Sequence, residues 1–221
     1  AQEQLPQCVF RYFTKRQWQK DEAFFIMEVE ISLGYPCFVK PANLGSSVGI
    51  SKAANRDELV AAINEAFRYD RKVIVEESID AREIELAVLG NEDPEVSVPG
   101  EIISSGEFYD YQAKYVSGTS QMVIPADLPK VTVTQLQELA VRAYQAIEAS
   151  GLSRVDFFVR KSDQAVLINE INTMPGFTPY SMYPLLWKHS GKSYAELLDH
   201  LIDLAVKRYN EKQNIEYGFH S

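Results

Sequence analysis

The stretch S-R-V-D-F-F-V-R-K-S-D-Q-A-V-L-I-N-E-I-N, residues 153–172, constrains the fold more than any other part of the sequence. Apolar residues are dense on both sides of the polar K-S-D, and that pattern is typical of two strands joined by a tight turn. We therefore predict a hairpin with strands at residues 152–160 and 164–171. Such a pair can carry polar side chains on one face and apolar side chains on the other.

Four polar side chains are expected to meet on one face of this hairpin. Side chains two apart in a strand share a face, which places Arg154 with Asp156 and Glu170 with Asn172. Cross-strand neighbours lie about 5 Å apart, so the two pairs converge. Carboxylate and amide oxygens are ligands that suit Mg²⁺. The same pattern also fits a solvated hairpin face with a surface ion pair, and the spacing alone leaves both interpretations open.

The rest of the chain predicts an α+β protein with mostly antiparallel sheets. The predicted strands come in runs instead of alternating with helices, which argues against a Rossmann sheet. They are expected at residues 9–13, 37–40, 48–52, 72–76, 83–90 and 96–103. Segments that are helical, or mixed in the case of the first, are expected at residues 15–33, 56–67, 132–149, 180–189 and 193–209. Asn55 is the predicted N-cap of the second of these.

The composition excludes several classes of protein. The 221 residues carry a formal net charge of -9, which argues against nucleic acid as the main partner. No apolar run reaches the roughly 18 residues of a membrane helix, so we expect a cytoplasmic protein. The two cysteines, Cys8 and Cys37, lack the spacing of a zinc site, and free thiols in a reducing compartment are favoured over a single disulfide.

Two further segments could contact a nucleotide. The loop in F-V-K-P-A-N-L-G-S-S-V-G-I, residues 38–50, offers glycine backbone and hydroxyls to phosphate oxygens, with Lys40 as a nearby point charge. In V-I-V-E-E-S-I, residues 73–79, backbone groups could meet an adenine edge, and Glu83 a ribose. Taken alone, the first segment is more often only a hairpin turn, and the second is better explained as a surface glutamate cluster that follows a strand.

Together these segments resemble the D-alanine:D-alanine ligase family of the ATP-grasp superfamily. The resemblance runs from about residue 30 to the end of the chain. Its blocks are, in order, F-V-K-P-A-N-L-G-S-S-V-G-I, E-E-S-I with R-E-I-E, E-F-Y-D-Y-Q-A-K-Y, S-R-V-D-F-F and N-E-I-N-T-M-P-G-F-T-P-Y-S-M.

The resemblance implies an ATP-grasp fold with nucleotide bound between two subdomains, residues 1–83 and 84–221. It implies ATP-dependent joining of two D-alanines through an acylphosphate, for peptidoglycan precursor synthesis, with two Mg²⁺ ions that Mn²⁺ can replace. An intact enzyme of this kind is expected to be a homodimer. The irregular residues 104–122 would be a lid that keeps water from the acylphosphate.

The resemblance also implies roles for particular residues. Arg154 and the backbone of Gly176 would stabilise the oxyanion, and Lys114 would reach the transferring phosphate. Tyr115 paired with Ser46 accompanies dipeptide formation, whereas phenylalanine there favours D-lactate. The metals would be held by Asp156, Glu170 and Asn172, and the carboxylate of the second D-alanine by Ser181 and Met182. Nucleotide contacts would come from Lys40, Ser46, Ser47, Val48, Glu76, Glu77, Ile79, Glu83, Phe108 and Lys114.

The sequence departs from the family pattern at its start. Nothing matches the N-terminal domain that carries contacts to the first substrate, and the chain begins with Ala rather than Met. We therefore expect a truncated ligase with little turnover alone. The alternatives are another ATP-grasp ligase that joins a different carboxylate and amine, D-alanine and D-lactate included, and a non-catalytic ATP-binding module.

Overall fold

The computed structural model describes residues 3–43, 48–103 and 121–215. The chain divides into two compact units after Asp80. Among the described residues, one unit contains residues 7–80 with their gap, and the other contains residues 3–6, 81–103 and 122–215. This division lies close to the subdomain boundary expected at residue 83, which stays a prediction.

The unit of residues 7–80 is a four-stranded antiparallel sheet with three helices. Its strands are β1 (Phe10–Thr14), β2 (Cys37–Pro41), β3 (Ser51–Ala53) and β4 (Lys72–Glu77), in the order β1-β4-β2-β3. Its helices are α1 (Lys15–Lys20), α2 (Glu22–Ser32) and α3 (Arg56–Ala66). The alternation of β2 and β4 buries Val39, Val73 and Val75 in one core with Leu59 and Ile63 of α3.

Local chemistry explains how the helices of this unit begin and end. Asn55 caps α3 as predicted, since its side chain accepts a hydrogen bond from Glu58 N. Residues 15–33, expected to be helical or mixed, contain two helices rather than one continuous segment. Asp21 leaves the helical conformation with φ -156°, ends α1, and accepts a hydrogen bond from Phe24 N that starts α2.

The second unit is a six-stranded antiparallel sheet with helices packed on it. Five strands follow the order β10-β9-β5-β7-β8, and β6 pairs with β5. The strands are β5 (Ala81–Gly90), β6 (Glu95–Val96), β7 (Gly100–Ile103), β8 (Gln121–Val123), β9 (Gly151–Arg160) and β10 (Val166–Asn172). The helices among the described residues are α4 (Lys130–Ala146), α5 (Met182–His189) and α6 (Tyr194–Gln213). The core lies between α4 and β5, β9 and β10.

Two predicted strands differ from the structure. The strand expected at 48–52 begins only at Ser51, because Gly49 has φ +73° in a turn. The strand expected at 96–103 is divided into β6 and β7. Between them, Ser97 Oγ accepts a hydrogen bond from Ala87 N, and Pro99 has no N–H to donate to a neighbouring strand. The predicted α+β class with antiparallel sheets is confirmed.

None of the helices in the described residues combines the length and the apolar character needed to cross a membrane.

Both cysteines are buried and free, as expected. Burial raises the pKa of the Cys8 thiol to about 12, with a further contribution from the charge of Glu76. Burial alone raises the pKa of Cys37 to about 11. Neither thiol is therefore set up to act as a nucleophile near neutral pH.

These two thiols should resist alkylation in the folded chain. At about pH 8 the thiolate fraction is about 0.1% for Cys37 and smaller for Cys8, and both sulfurs are shielded from reagent. We expect no adduct after iodoacetamide treatment of the native chain and two adducts in concentrated guanidinium chloride, as counted by intact-mass spectrometry. Stoichiometric labelling of either cysteine in the native chain would contradict the described core.

Candidate functional site

A β-bulge in β10 determines which side chains share a face with Asp156. From Val166 to Ile168 the strand pairs in one register with β9, and from Glu170 to Asn172 in a register shifted by one residue. The extra residue is Asn169. As a result, Glu170 lies opposite Asp156 and Asn172 opposite Arg154, while Ile171 returns to the apolar face. The convergence expected from the sequence is therefore present.

Arg154 is the centre of the polar cluster on this face. Its Nε and Nη2 donate to the two carboxylate oxygens of Asp156, each at 2.7 Å, and Nε lies 2.9 Å from Glu85 Oε2. Burial works against the charged form of Arg154, but the hydrogen bonds to Asp156 and the charges of Asp156, Glu85 and Glu170 prevail and raise its pKa. The guanidinium is therefore charged at any physiological pH.

The third predicted ligand, Asn172, joins the two carboxylates. Its Nδ2 lies 3.0 Å from Asp156 Oδ2 and 3.2 Å from Glu170 Oε1. A half-turn of the amide would present its oxygen in place of the nitrogen. Among the described residues, no three His, Cys, Asp or Glu side chains are grouped as metal ligands. The fit to Mg²⁺ thus rests on two carboxylates and one amide oxygen, all hard ligands.

Glu85 belongs to this cluster, and the sequence reasoning did not include it. It lies opposite Asp156 across the β5–β9 pairing, and its side chain is 12% exposed. The signal was present in the R-E-I-E of β5, because Ile84 and Leu86 face the core and their neighbours Glu83 and Glu85 must then share the other face. Glu83 is exposed on that face.

In the unit of residues 7–80, Lys40 and Glu76 form an ion pair. Lys40 Nζ lies 2.7 Å from Glu76 Oε1, and the two side chains are only 18% and 15% exposed. They project from adjacent strands, where Phe38 is opposite Glu76 and Lys40 opposite Ile74. Lys40, predicted to contact phosphate, and Glu76, predicted to contact adenine, are therefore joined by an ion pair.

The other predicted nucleotide residues of this unit have separate surroundings. Glu77 holds the segment before β1 through two hydrogen bonds. Its carboxylate accepts a hydrogen bond from Val9 N at 2.7 Å, and its backbone N donates one to Val9 O at 3.0 Å. Ile79 follows β4 and is half-buried. Val48 is half-buried in the turn before β3.

The segment from Thr173 to Ser181 leads from β10 into α5. Ser181 is the N-cap residue of α5, and Met182 begins the helix with its side chain 4% exposed. Met182 can therefore offer a substrate its backbone rather than its thioether. A Cβ atom on Gly176 would lie 3.1 Å from Ser181 Oγ, so the two residues are close. The predicted oxyanion and carboxylate contacts are thus neighbours.

Several predicted site residues lie outside the described residues. These are Ser46, Ser47, Phe108, Lys114 and Tyr115, and the lid expected at 104–122 lies almost wholly outside them as well.

Sequence comparison identifies relatives of this chain. The family model described as "D-ala D-ala ligase C-terminus" matches residues 1–203. A D-alanine–D-alanine ligase from Bacillus cytotoxicus is 53% identical over 217 residues, which cover 98% of this chain and 60% of the relative. A D-alanine–D-alanine ligase from Acetivibrio thermocellus is 56% identical over 207 residues, covering 94% of this chain and 55% of the relative. The chain thus spans less than two thirds of the length of these relatives.

Two solved structures of ligases are also similar to this chain. The D-alanine–D-alanine ligase from Coxiella burnetii is 38% identical with a TM-score of 0.81, over 95% of this chain and 55% of that one. A D-Ala:D-Ser ligase from Enterococcus faecalis is 39% identical with a TM-score of 0.82, over 92% of this chain and 58% of that one.

The fold is thus that of an ATP-grasp protein, α+β with antiparallel sheets. Within that class, the chain belongs to the D-alanine–D-alanine ligase family. It matches the family model of the C-terminal part of these ligases.

Replacing the central arginine should destabilise the second unit strongly. In Arg154→Met, Asp156 and Glu85, with side chains 11% and 12% exposed, lose the cation that both contact. We expect the free energy of unfolding at neutral pH to fall by about 3 kcal/mol or more, as measured by urea denaturation.

The matched control is Arg160→Met, at the end of the same strand. The Arg160–Asp163 pair is exposed, with side-chain exposures of 35% and 53%, so its loss should cost under about 1 kcal/mol. Equal losses in the two variants would contradict the central position of Arg154.

Proposed function

We propose that this chain carries the ATP- and Mg²⁺-binding residues of a ligase that joins two D-alanines. The observation that carries the proposal is the cluster of Asp156, Glu170 and Asn172 around Arg154, in a chain 53% to 56% identical to D-alanine–D-alanine ligases. The γ-phosphoryl group of ATP passes to the carboxylate of the first D-alanine, giving an acylphosphate and ADP. The amine of the second attacks the acyl carbon, loses a proton and expels inorganic phosphate.

Asp156, Glu170 and Asn172 would hold two Mg²⁺ ions. Magnesium neutralises charge on the phosphoryl oxygens of a bound nucleotide, a large part of catalysis in phosphoryl transfer. The rigid β-sheet supports the proposal because two ligands are paired across β9 and β10 and the third adjoins both. Mn²⁺ has the same preference for oxygen ligands and is expected to substitute.

Lys40 would bind the nucleotide phosphates, and its ion pair with Glu76 supports that role. The pair holds the ammonium at a defined point on the sheet, so less side-chain entropy remains to be lost when an anion binds. Glu76, Glu77 and Ile79 would line the adenine, and Glu83 would accept the ribose hydroxyls. Because the Glu77 carboxylate already accepts from Val9 N, it contributes to adenine recognition mainly by fixing the backbone there.

Arg154 and the backbone N–H of Gly176 would stabilise the oxyanion of the tetrahedral intermediate. The raised pKa of Arg154 supports this, because a guanidinium kept charged and anchored by Asp156 needs no reorganisation as negative charge develops. Ser181 and the N-terminus of α5 would bind the carboxylate of the second D-alanine through a hydroxyl and backbone N–H groups.

Further roles in the proposal fall on residues outside the described ranges. Ser46 and Ser47 would close over the phosphates, Phe108 would cover the nucleotide, and Lys114 would meet the transferring phosphate. Tyr115 would pair with Ser46 and favour an amine over a hydroxyl acceptor. A cytoplasmic location and a homodimeric assembly are the corresponding expectations for the intact enzyme.

The substitution Glu170→Gln tests the function at its metal site. It keeps the size and an oxygen ligand but removes the charge, so we expect the affinity for a non-hydrolysable ATP analogue in the presence of Mg²⁺ to fall at least about tenfold. Affinity in the presence of EDTA should be the same in wild type and variant. Calorimetry measures both, and Glu138→Gln, an exposed position on α4, is the control that should bind as wild type does.

A D-alanine assay separates the proposed function from its alternatives. Formation of D-alanyl-D-alanine from ATP, followed by mass spectrometry, supports the proposal when the Glu170 substitution abolishes it. Binding heat without dipeptide from any enzyme containing this chain would indicate a non-catalytic nucleotide-binding module. A depsipeptide or another dipeptide as the main product would indicate a ligase of different specificity. Unchanged Mg²⁺-dependent binding in Glu170→Gln would contradict the site itself.

A further inference from the structure

The hydroxyl of Ser181 is turned away from the helix that Ser181 caps. Ser181 has the extended backbone of an N-cap residue, with φ -74° and ψ 149°, yet its side chain makes no capping hydrogen bond to α5. Instead, Ser181 Oγ accepts from Thr178 N at 3.1 Å and lies 2.9 Å from Thr178 Oγ1. Ser181 N donates in turn to Thr178 O at 2.9 Å. The two residues thus form a small ring of hydrogen bonds ahead of the helix.

The hydrogen-bonding capacity of a hydroxyl decides what this ring leaves free. A serine hydroxyl has one proton to donate and two lone pairs that accept. Thr178 N fills one lone pair of Ser181 Oγ, and when Thr178 Oγ1 acts as donor, its proton fills the other. The single proton of Ser181 must then point away from Thr178. A hydroxyl whose lone pairs are occupied is a stronger and better oriented donor to an anion.

We propose that Thr178 is a positioning residue for recognition of the second substrate's carboxylate. The inference rests on the proposed function, in which Ser181 binds that carboxylate. Thr178 Oγ1 donates to Ser181 Oγ, and Ser181 Oγ–H donates to the carboxylate, so the two hydroxyls form a directed chain. Thr178 does not contact the substrate in this account. It selects the orientation of the Ser181 proton that can meet a negative charge.

The segment that carries Thr178 is anchored independently of its hydroxyl. Tyr194 at the start of α6 donates its hydroxyl to Phe177 O at 2.8 Å, and the ring of Phe177 lies 5.7 Å from the rings of both Tyr183 and Tyr194. Tyr183 is fully buried and donates to Val88 O in the sheet. The hydrogen bond that Thr178 N donates to Ser181 Oγ does not involve the Thr178 side chain. Removing the Thr178 hydroxyl should therefore leave the fold of the segment intact.

The pair Thr178→Val and Thr178→Ser tests the proposal. Valine keeps the shape of threonine without its hydroxyl, and serine keeps the hydroxyl without the methyl group. We titrate D-alanine into the ¹⁵N-labelled chain with Mg²⁺ and a non-hydrolysable ATP analogue, and follow the backbone amide signals of Ser181 and Met182. The expected result is a dissociation constant about threefold to tenfold higher in the valine variant and close to wild type in the serine variant.

D-alaninamide, which lacks the carboxylate, is the control ligand and should bind equally to all three proteins. A valine variant that binds D-alanine as wild type does would overturn the role of Thr178 while leaving the proposed function in place. Equal weakening by valine and serine would also overturn it, because the methyl group and not the hydroxyl would then matter. If D-alanine leaves both amide signals of the wild type unchanged, the substrate site itself is wrong, and the inference fails with it.

Discussion

The extra residue at Asn169 is the constraint on which the candidate site depends. Strict alternation from Val166 and Ile168 would place Glu170 on the apolar face, against the core formed with α4. Burying a carboxylate there without a partner would cost several kcal/mol. The bulge moves Glu170 and Asn172 to the face of Asp156 and returns Ile171 to the core. One irregularity therefore satisfies the hydrophobic core and brings the proposed oxygen ligands to one face.

The cluster that results is electrostatically asymmetric. Glu85, Asp156 and Glu170 surround one guanidinium, so three carboxylates face a single positive charge. The excess of negative charge favours the approach of further positive charge, as the proposed metal site requires. Arg154 also holds Asp156 through both of its oxygens, which limits the rotation of that carboxylate. The site is rigid because strands, and not loops, supply its side chains.

The sequence was informative where local chemistry decides the structure. The hairpin, the Asn55 cap and the convergence of Arg154, Asp156, Glu170 and Asn172 were predicted from spacing and residue type. The bulge was not predicted, although the three-residue step between Ile168 and Ile171 in an otherwise alternating strand is its signature. Glu85 was missed because its role depends on β5 pairing with β9, a contact between distant segments that local periodicity does not specify.

Paramagnetic broadening by Mn²⁺ shows whether β9 and β10 together form a divalent metal site. Mn²⁺ is added stepwise to the ¹⁵N-labelled chain with an ATP analogue present, and the backbone amide signals are followed residue by residue. We expect the signals of Asp156, Glu170 and Asn172 to broaden first and to recover when excess Mg²⁺ is added. Earliest broadening at the exposed acidic residues Glu92 and Glu95, with the β9–β10 signals unaffected, would contradict this expectation.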